Sequence, residues 1–368
     1  MKLMKRVLVF GITENPGGVE SVIMNYYRRI DRDKIQFEFL CNTKIVAYEE
    51  EIKSLGGIIH RIPARRDGRK EFAEALETFM QENAQKYCAI WVNVCSLANI
   101  DYLKAAKKFG IPKRIIHCHN ADNGDSFLRG QLHKMNRAQI NKYATDFWSC
   151  SDEASKWFFG EKNMRSEKYK LIYNAVDPDK FLPDADVREK YRKKLNCEDK
   201  IVIGHIGRFH FQKNHKFVLE IMRDLVKAEK NVELLLIGQG ELMEEMKTKV
   251  SDYGLEENVQ FLGVRSDIPQ LYQAMDLFLF PSVFEGLPIV LLEAQANGLP
   301  CVVSDTITKQ IQINENLYFK KLTDTSEDWA DFILNTALKK GRVTQDKFLK
   351  SPYNIKLQTE ILEKLLTE

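Results

Sequence analysis

The chain has 368 residues, 44% of them hydrophobic and 29% charged, with 19 glycines and 10 prolines. That length holds about two domains, each able to bury a core, and the ordinary composition excludes collagen-like and disordered classes. Net charge is only +3 but unevenly spread: residues 1–176 carry 29 Lys+Arg against 21 Asp+Glu, and the remainder 26 against 31.

The N-terminus imitates a signal peptide, because Lys2, Lys5 and Arg6 precede an apolar run. That run, 7–12, is shorter than the roughly 7 to 15 residues of a signal core, so a buried first strand is expected instead. No apolar stretch approaches the ~18 residues of a membrane span, the longest candidates being broken by Pro281, Glu285 and Glu293. The seven cysteines (41, 88, 95, 118, 150, 197, 301) form no C-x-x-C pair. Neither a disulfide framework nor a zinc site is indicated, and a reducing, cytoplasmic setting is expected.

Short β-branched or aromatic runs follow at 6–11, 36–41, 58–63, 89–94, 114–119, 146–151 and 170–176. Between the first two, Val19, Val22, Ile23, Tyr26, Tyr27 and Ile30 recur at helical spacing. Repeated strand–helix–strand units predict a parallel, doubly wound sheet. A polar stretch with two prolines at 177–183 interrupts the pattern, which restarts with runs at 201–207, 232–238, 259–263, 276–281 and 301–305. Residues 1–176 and 177–352 are therefore expected to form two α/β domains, with a last amphipathic helix in 353–368 returning to the first. In such sheets ligands bind beyond the carboxyl ends of the strands.

Three loops in such positions carry candidate chemistry. In Thr13-Glu14-Asn15-Pro16-Gly17-Gly18-Val19-Glu20, two glycines at a helix start either make a tight turn or admit an anion to free N–H groups. In Gly207-Arg208-Phe209-His210-Phe211-Gln212-Lys213-Asn214, Arg208 and Lys213 form either a solvated basic loop or a clamp for a diphosphate. In Phe280-Pro281-Ser282-Val283-Phe284-Glu285-Gly286-Leu287-Pro288-Ile289, Pro288 suits a first helical turn. Glu293 then falls among Val290, Leu291, Leu292 and Ala294, where a carboxylate needs hydrogen-bond donors, whether a ligand's hydroxyls or a structural partner.

Glu285 and Glu293, in the setting F-E-G-L-P-I-V-L-L-E-A, resemble the E-x7-E signature of retaining family 4 of the GT-B glycosyltransferases. The G-R-x4-K-N block, Gly17-Gly18, Ile172-Tyr173-Asn174-Ala175-Val176-Asp177 and Gly238-Gln239-Gly240 fall in the order of that family, so the resemblance spans nearly the whole chain. It implies an α/β, GT-B fold: two doubly wound Rossmann-like domains facing across a cleft. By the same resemblance Arg208 and Lys213 hold the diphosphate of a nucleotide sugar, Glu285 with the backbone of Gly286, Leu287 and Pro288 faces the donor sugar, and Glu293 accepts from ribose hydroxyls. Gly17, Gly18 and Gly238 line the donor, and Val264 and Arg265 border its base. The family's sugar-contacting histidine matches His119, with His117 as the alternative. Ser304-Asp305 is followed by Thr306-Ile307-Thr308-Lys309-Gln310, without the family's usual glycines and glutamate, so that loop is left out of the site.

The implied activity is retaining transfer of a hexose or N-acetylhexosamine, from a UDP-linked donor that serves as substrate, to a glycan or lipid-linked acceptor in bacterial cell-surface polysaccharide synthesis. No metal or other cofactor is expected: the Asp-x-Asp pairs at 31/33, 177/179 and 184/186 sit in polar turns rather than after strands. Other readings are a non-catalytic transferase-like subunit and a GT-B-type sugar-nucleotide epimerase. A dehydrogenase is excluded because no G-x-G-x-x-G is present. The cations Arg61, Arg65, Arg66, Arg69, Lys70, Lys104, Lys107, Lys108, Lys113 and Arg114 are read either as an ordinary solvated surface or as peripheral contact with anionic lipid at the inner face of the cell membrane. They lack the interleaved aromatics of a nucleic-acid surface. The histidines at 205, 210 and 215 are read as unrelated surface or packing residues.

Overall fold

The computed structural model of the chain describes residues 4–119 and 127–367. Among these, β1 (Lys5–Phe10), β2 (Ile35–Cys41), β3 (Ile58–Arg61), β4 (Ala89–Val94), β5 (Lys113–Cys118), β6 (Asp146–Ser149) and β7 (Tyr169–Leu171) form one sheet in the order β3-β2-β1-β4-β5-β6-β7. A second sheet takes β8 (Ile201–Ile206), β9 (Val232–Ile237), β10 (Val259–Gly263), β11 (Leu277–Phe280), β12 (Cys301–Ser304) and β13 (Leu317–Lys320) in the order β10-β9-β8-β11-β12-β13. Both sheets are parallel throughout. Strand order reverses beside β1 in the first and beside β8 in the second, the positions where doubly wound sheets open a crevice.

The chain divides into two units, Met1–Ala175 with Ile355–Glu368, and Val176–Asn354. In the first, the helix Gly18–Arg29 buries Val22, Ile23, Tyr26 and Tyr27. Tyr27 stacks on Phe37 at 5.3 Å, and Phe37 meets Trp91 edge-on at 5.8 Å. The run expected to be strand to 176 leaves the sheet after Leu171, because side chains of that helix take over its carbonyls: Tyr26 Oη donates to Tyr173 O at 2.6 Å and Asn25 Nδ2 to Ala175 O at 2.9 Å. The C-terminal helix Ile355–Thr367 packs in this unit, with Glu363 Oε1 accepting from Asp31 N–H at 2.7 Å and its last carbonyls accepting from Lys5 and Lys113. Those ammonium groups neutralise the negative end of the helix.

In the second unit all six residues of β9 are buried, Glu233 among them, which is tolerated because Lys200 Nζ pairs with it at 2.7 Å. The strand missing from the sequence reading, β13, is only four residues long and pairs with β12 alone.

A cluster of arginines fixes the entry to β11. The helix Ile268–Ala274 ends immediately before it, and Arg342 Nη2 donates to the carbonyls of Tyr272, Gln273 and Met275 at 2.9, 3.0 and 2.8 Å. Arg188 Nη1 also serves Gln273 and Met275, and Arg192 Nη1 serves Ala274. These are the carbonyls a helix end leaves without partners. Asp276 balances the charge, pairing with Arg188 at 2.5 Å and Arg192 at 3.0 Å while accepting from Val202 N–H at 2.8 Å.

None of the seven cysteines is in a disulfide. No helix among the described residues is long and apolar enough to cross a membrane.

Candidate functional site

In the second unit the loops leaving β8 and β11 emerge side by side at the strand-order reversal, and hydrogen bonds lock them together. After β8 the chain makes a short turn, Phe211–Lys213, and Asn214 follows in the left-handed region at φ +56°, a conformation asparagine tolerates better than most residues. Val283 N–H donates to Gln212 O at 2.8 Å, Gln212 Nε2 to Phe284 O at 2.9 Å, and Asn214 Nδ2 to Pro281 O at 3.1 Å. These contacts bring Lys213 Nζ to 2.6 Å from Glu285 Oε1. Both side chains are recessed, 18% and 8% exposed, and Nζ also lies 4.8 Å from the Phe280 ring centroid. An ammonium and a carboxylate are costly to desolvate separately, so each holds the other in place.

Arg208 does not join this pair. Its guanidinium is 71% exposed and binds Glu241 at 3.0 Å, which His210 also approaches at 3.7 Å. Glu241 has no counterpart in the sequence reading. Gly238 and Gly240 lie against the backbone of 207–209: a Cβ on Gly238, at φ +139°, would stand 2.1 Å from Gly207 O, and one on Gly240 2.4 Å from Phe209 O. In this structure the glycines therefore allow two loops to touch.

Pro288 caps the helix Ile289–Ala296 one residue ahead of its expected first-turn place, with Gly286, Leu287 and Pro288 all buried. Glu293 Oε2 accepts from Tyr272 Oη at 3.2 Å, and the same hydroxyl contacts Val290 O at 2.9 Å. Burial and this carboxylate push the Tyr272 phenol well above its usual pKa. Val264 is 53% exposed. Arg265 forms a fork with Asp267 at 2.7 and 2.5 Å, holding that carboxyl near pKa 2. The loop after β12, left out of the expected site, is knitted to this region: Ser304 Oγ and Thr306 Oγ1 donate to Ser282 O at 2.5 and 2.9 Å.

In the first unit His119 stands just beyond β5. Its Nε2 lies 2.9 Å from Asn93 Oδ1, and Asn93 Nδ2 in turn donates to Phe10 O at 3.2 Å, linking the carboxyl ends of β1, β4 and β5. Gly11, at φ +136°, leaves room for this, since a Cβ there would come within 2.7 Å of Asn93 Cβ. Burial lowers the His119 pKa to about 3, so the ring is neutral at physiological pH. His117 is a core residue, fully buried within β5 and accepting from Trp91 Nε1 at 3.2 Å. Asn120, which follows the histidine motif, lies outside the described residues. Gly17 precedes the helix Gly18–Arg29, and its first turn already faces a carboxylate: Glu20, 6% exposed, accepts from Thr13 Oγ1 at 2.5 Å.

Two of the three spaced histidines are related after all. His205 and His215 are buried with ring centroids 4.7 Å apart, and His215 stacks on Phe209 at 4.1 Å behind the Lys213 turn. Burial lowers their pKa values to about 4 and about 2. Their spacing of ten residues matched no single element because one lies in β8 and the other opens the next helix. In the Asp-x-Asp pairs, Asp31 accepts from Asp33 N–H, Asp177 caps the short turn Pro178–Phe181, and Asp184 caps the helix Ala185–Lys194.

The family described as glycosyl transferases group 1 matches residues 187–335. The putative glycosyltransferase EpsF of Bacillus subtilis is 34% identical over 340 residues, covering 90% of this chain and 88% of that protein. The capsular polysaccharide biosynthesis glycosyltransferase CapH of Staphylococcus aureus is 23% identical, covering 95% of each. An Escherichia coli UDP-Gal:alpha-D-GlcNAc-diphosphoundecaprenol alpha-1,3-galactosyltransferase is 32% identical over 50% of this chain and 46% of its own. The crystal structure of Anabaena HepE in complex with UDP and glucose is similar in fold, with a TM-score of 0.83 at 20% identity, covering 99% of this chain and 100% of that one.

Proposed function

The chain belongs to the group 1 glycosyltransferases, and from that membership we propose that it transfers a hexose or N-acetylhexosamine from a UDP-linked donor, with retention and without a metal, to a glycan or lipid-linked acceptor in cell-surface polysaccharide synthesis. The observation that carries this reading is the recessed Lys213–Glu285 pair at the strand-order reversal of the second sheet. The UDP-galactose donor and diphosphoundecaprenol-linked acceptor of the E. coli relative support the donor and acceptor classes, the capsular role of CapH supports polysaccharide synthesis, and the HepE complex supports UDP.

Breaking a glycosyl phosphate builds negative charge on the departing diphosphate and positive charge at the anomeric carbon. A cation already oriented where the negative charge grows stabilises the transition state with little reorganisation. Lys213 is that cation: a diphosphate takes over its charge, and Glu285 is released to accept from the sugar's hydroxyls. Arg208, only loosely engaged by Glu241 at the exposed rim, swings to the same phosphates. Glu293, with Tyr272 as its present donor, accepts from the ribose. Neutral His119, just beyond the end of β5, offers hydrogen bonds rather than a charge.

The test is incubation in EDTA with UDP-glucose, UDP-galactose and UDP-N-acetylglucosamine, each with a GlcNAc-diphosphoundecaprenol acceptor of the class named for the E. coli relative, following UDP release and the anomeric configuration of the new linkage by NMR. Release from one donor with an α-linked product is expected. An inverted product, or release that needs manganese, would contradict the retaining or the metal-independent part respectively.

A further inference from the structure

The loops that carry Lys213 and Glu285 leave two strands that part before they end. Among the described residues β8 and β11 pair at Ile203 with Leu277 and at Gly204 with Phe278, and no further. On its other side β8 stays paired with β9 as far as Ile206, and β11 with β12 as far as Phe280. Where the ladder between β8 and β11 stops, a side chain takes it over: His205 Nδ1 lies 2.8 Å from Leu279 O. A carbonyl only accepts, so the ring carries its proton on Nδ1 and donates it. The imidazole is fully buried and its Nε2 has no partner. A phenylalanine would fill the same space without leaving a buried nitrogen unpaired, so what the histidine adds is that one N–H.

The same residue supports the ground on which Lys213 stands. Its ring stacks on Phe280 at 5.7 Å, and Lys213 Nζ overlies the Phe280 ring at 4.8 Å. Two residues beyond His205, a Cβ on Gly207 would stand 3.0 and 3.1 Å from Lys213 Cγ and Cδ, so the lysine stem runs directly over the end of β8. The end of β8 thus carries the stem, and the end of β11 the aromatic wall and, beyond it, Glu285. Taking the diphosphate role given to Lys213 above, we propose that His205 is a positioning residue for the transfer. Its bond to Leu279 O fixes the gap between β8 and β11, and with it the place of the Lys213 ammonium against the diphosphate. His215 differs: it packs 4.7 Å from His205 and stacks on Phe209, but neither of its nitrogens has a partner, so it contributes volume alone.

Calorimetric titration in EDTA with UDP and with UMP separates misplacement of Lys213 from general damage, because the two nucleotides differ only in the terminal phosphate. Wild type is expected to prefer UDP, and Lys213→Met to lose that preference. His205→Phe keeps a ring and loses the donor; it should lower the UDP-over-UMP affinity ratio about tenfold, the scale of one hydrogen bond to a charged group. His205→Asn, whose amide N–H falls near the position of Nδ1, should recover most of the ratio, and His215→Phe should leave it unchanged. A fold that is merely weakened loses both nucleotides alike and keeps the ratio. A kept ratio in His205→Phe, an equal fall in His215→Phe, or an Asn variant no better than the Phe one would each overturn the proposal. A wild type without the preference, or a Lys213→Met variant that retains it, would instead remove the role of Lys213, and the role of His205 with it.

Discussion

Lys213→Met and Glu285→Gln are each expected to lower turnover roughly 100- to 1,000-fold, the range found when one preorganised charge-stabilising group is removed. The two single variants also lose stability, because each leaves a recessed charge without the partner that stands 2.6 Å away in the wild type. Reduced activity alone would therefore not separate a catalytic pair from a structural one. The double variant does separate them: with both charges gone and both volumes nearly kept, urea midpoints should return close to wild type while UDP release stays lost. Recovery of turnover together with stability would show the pair to be a structural bridge. Wild-type turnover in both single variants would sink the site altogether.

Asp276→Ala should have the largest effect on stability, about 3 to 5 kcal/mol. Among the described residues its carboxylate is the one anion directly paired with Arg188 and Arg192, and a third guanidinium, Arg342, is held nearby. Burial and the two neighbouring arginines already lower the Arg342 pKa to about 10, a direction that Asp276 opposes. Without the carboxylate, like charges crowd the end of the helix Ile268–Ala274, and Val202 N–H loses its acceptor. Because β11 starts at this point and ends in the loop carrying Glu285, weaker donor binding should accompany the loss. Asp276→Asn retains an acceptor for Val202 and should fall between the two. Equal urea midpoints for wild type and Asp276→Ala would refute the role assigned to this cluster.

Much of the fold was legible because buried parallel strands are written as continuous apolar runs, and helices as a repeat of 3.6. The failures have local causes. The run ending at Val176 has the composition of a strand, yet Asn25 and Tyr26 claim its carbonyls, and these are contacts across about 150 positions that no local pattern encodes. β13 was missed because four residues carry too little periodicity. For the candidate site, the order of glycines, cations and glutamates was visible, and so was the position of His119 at a strand end. The pairing was not. Lys213 binding Glu285 while Arg208 binds Glu241 depends on how two loops are joined through Gln212 and Asn214, and Tyr272 meets Glu293 only through packing of separate helices.

The central claim is that the second unit binds a uridine diphosphate through Lys213. Its most direct test is a thermal-shift comparison of wild type and Lys213→Met with UDP, GDP and ADP in EDTA. A ligand that binds only the folded state at about 100 times its Kd adds about 2.7 kcal/mol, which for a domain of this size raises the midpoint by about 5 to 10 °C. That rise is expected for wild type with UDP, with little for GDP or ADP and none for the variant. No shift with UDP, or an equal shift in the variant, would contradict it.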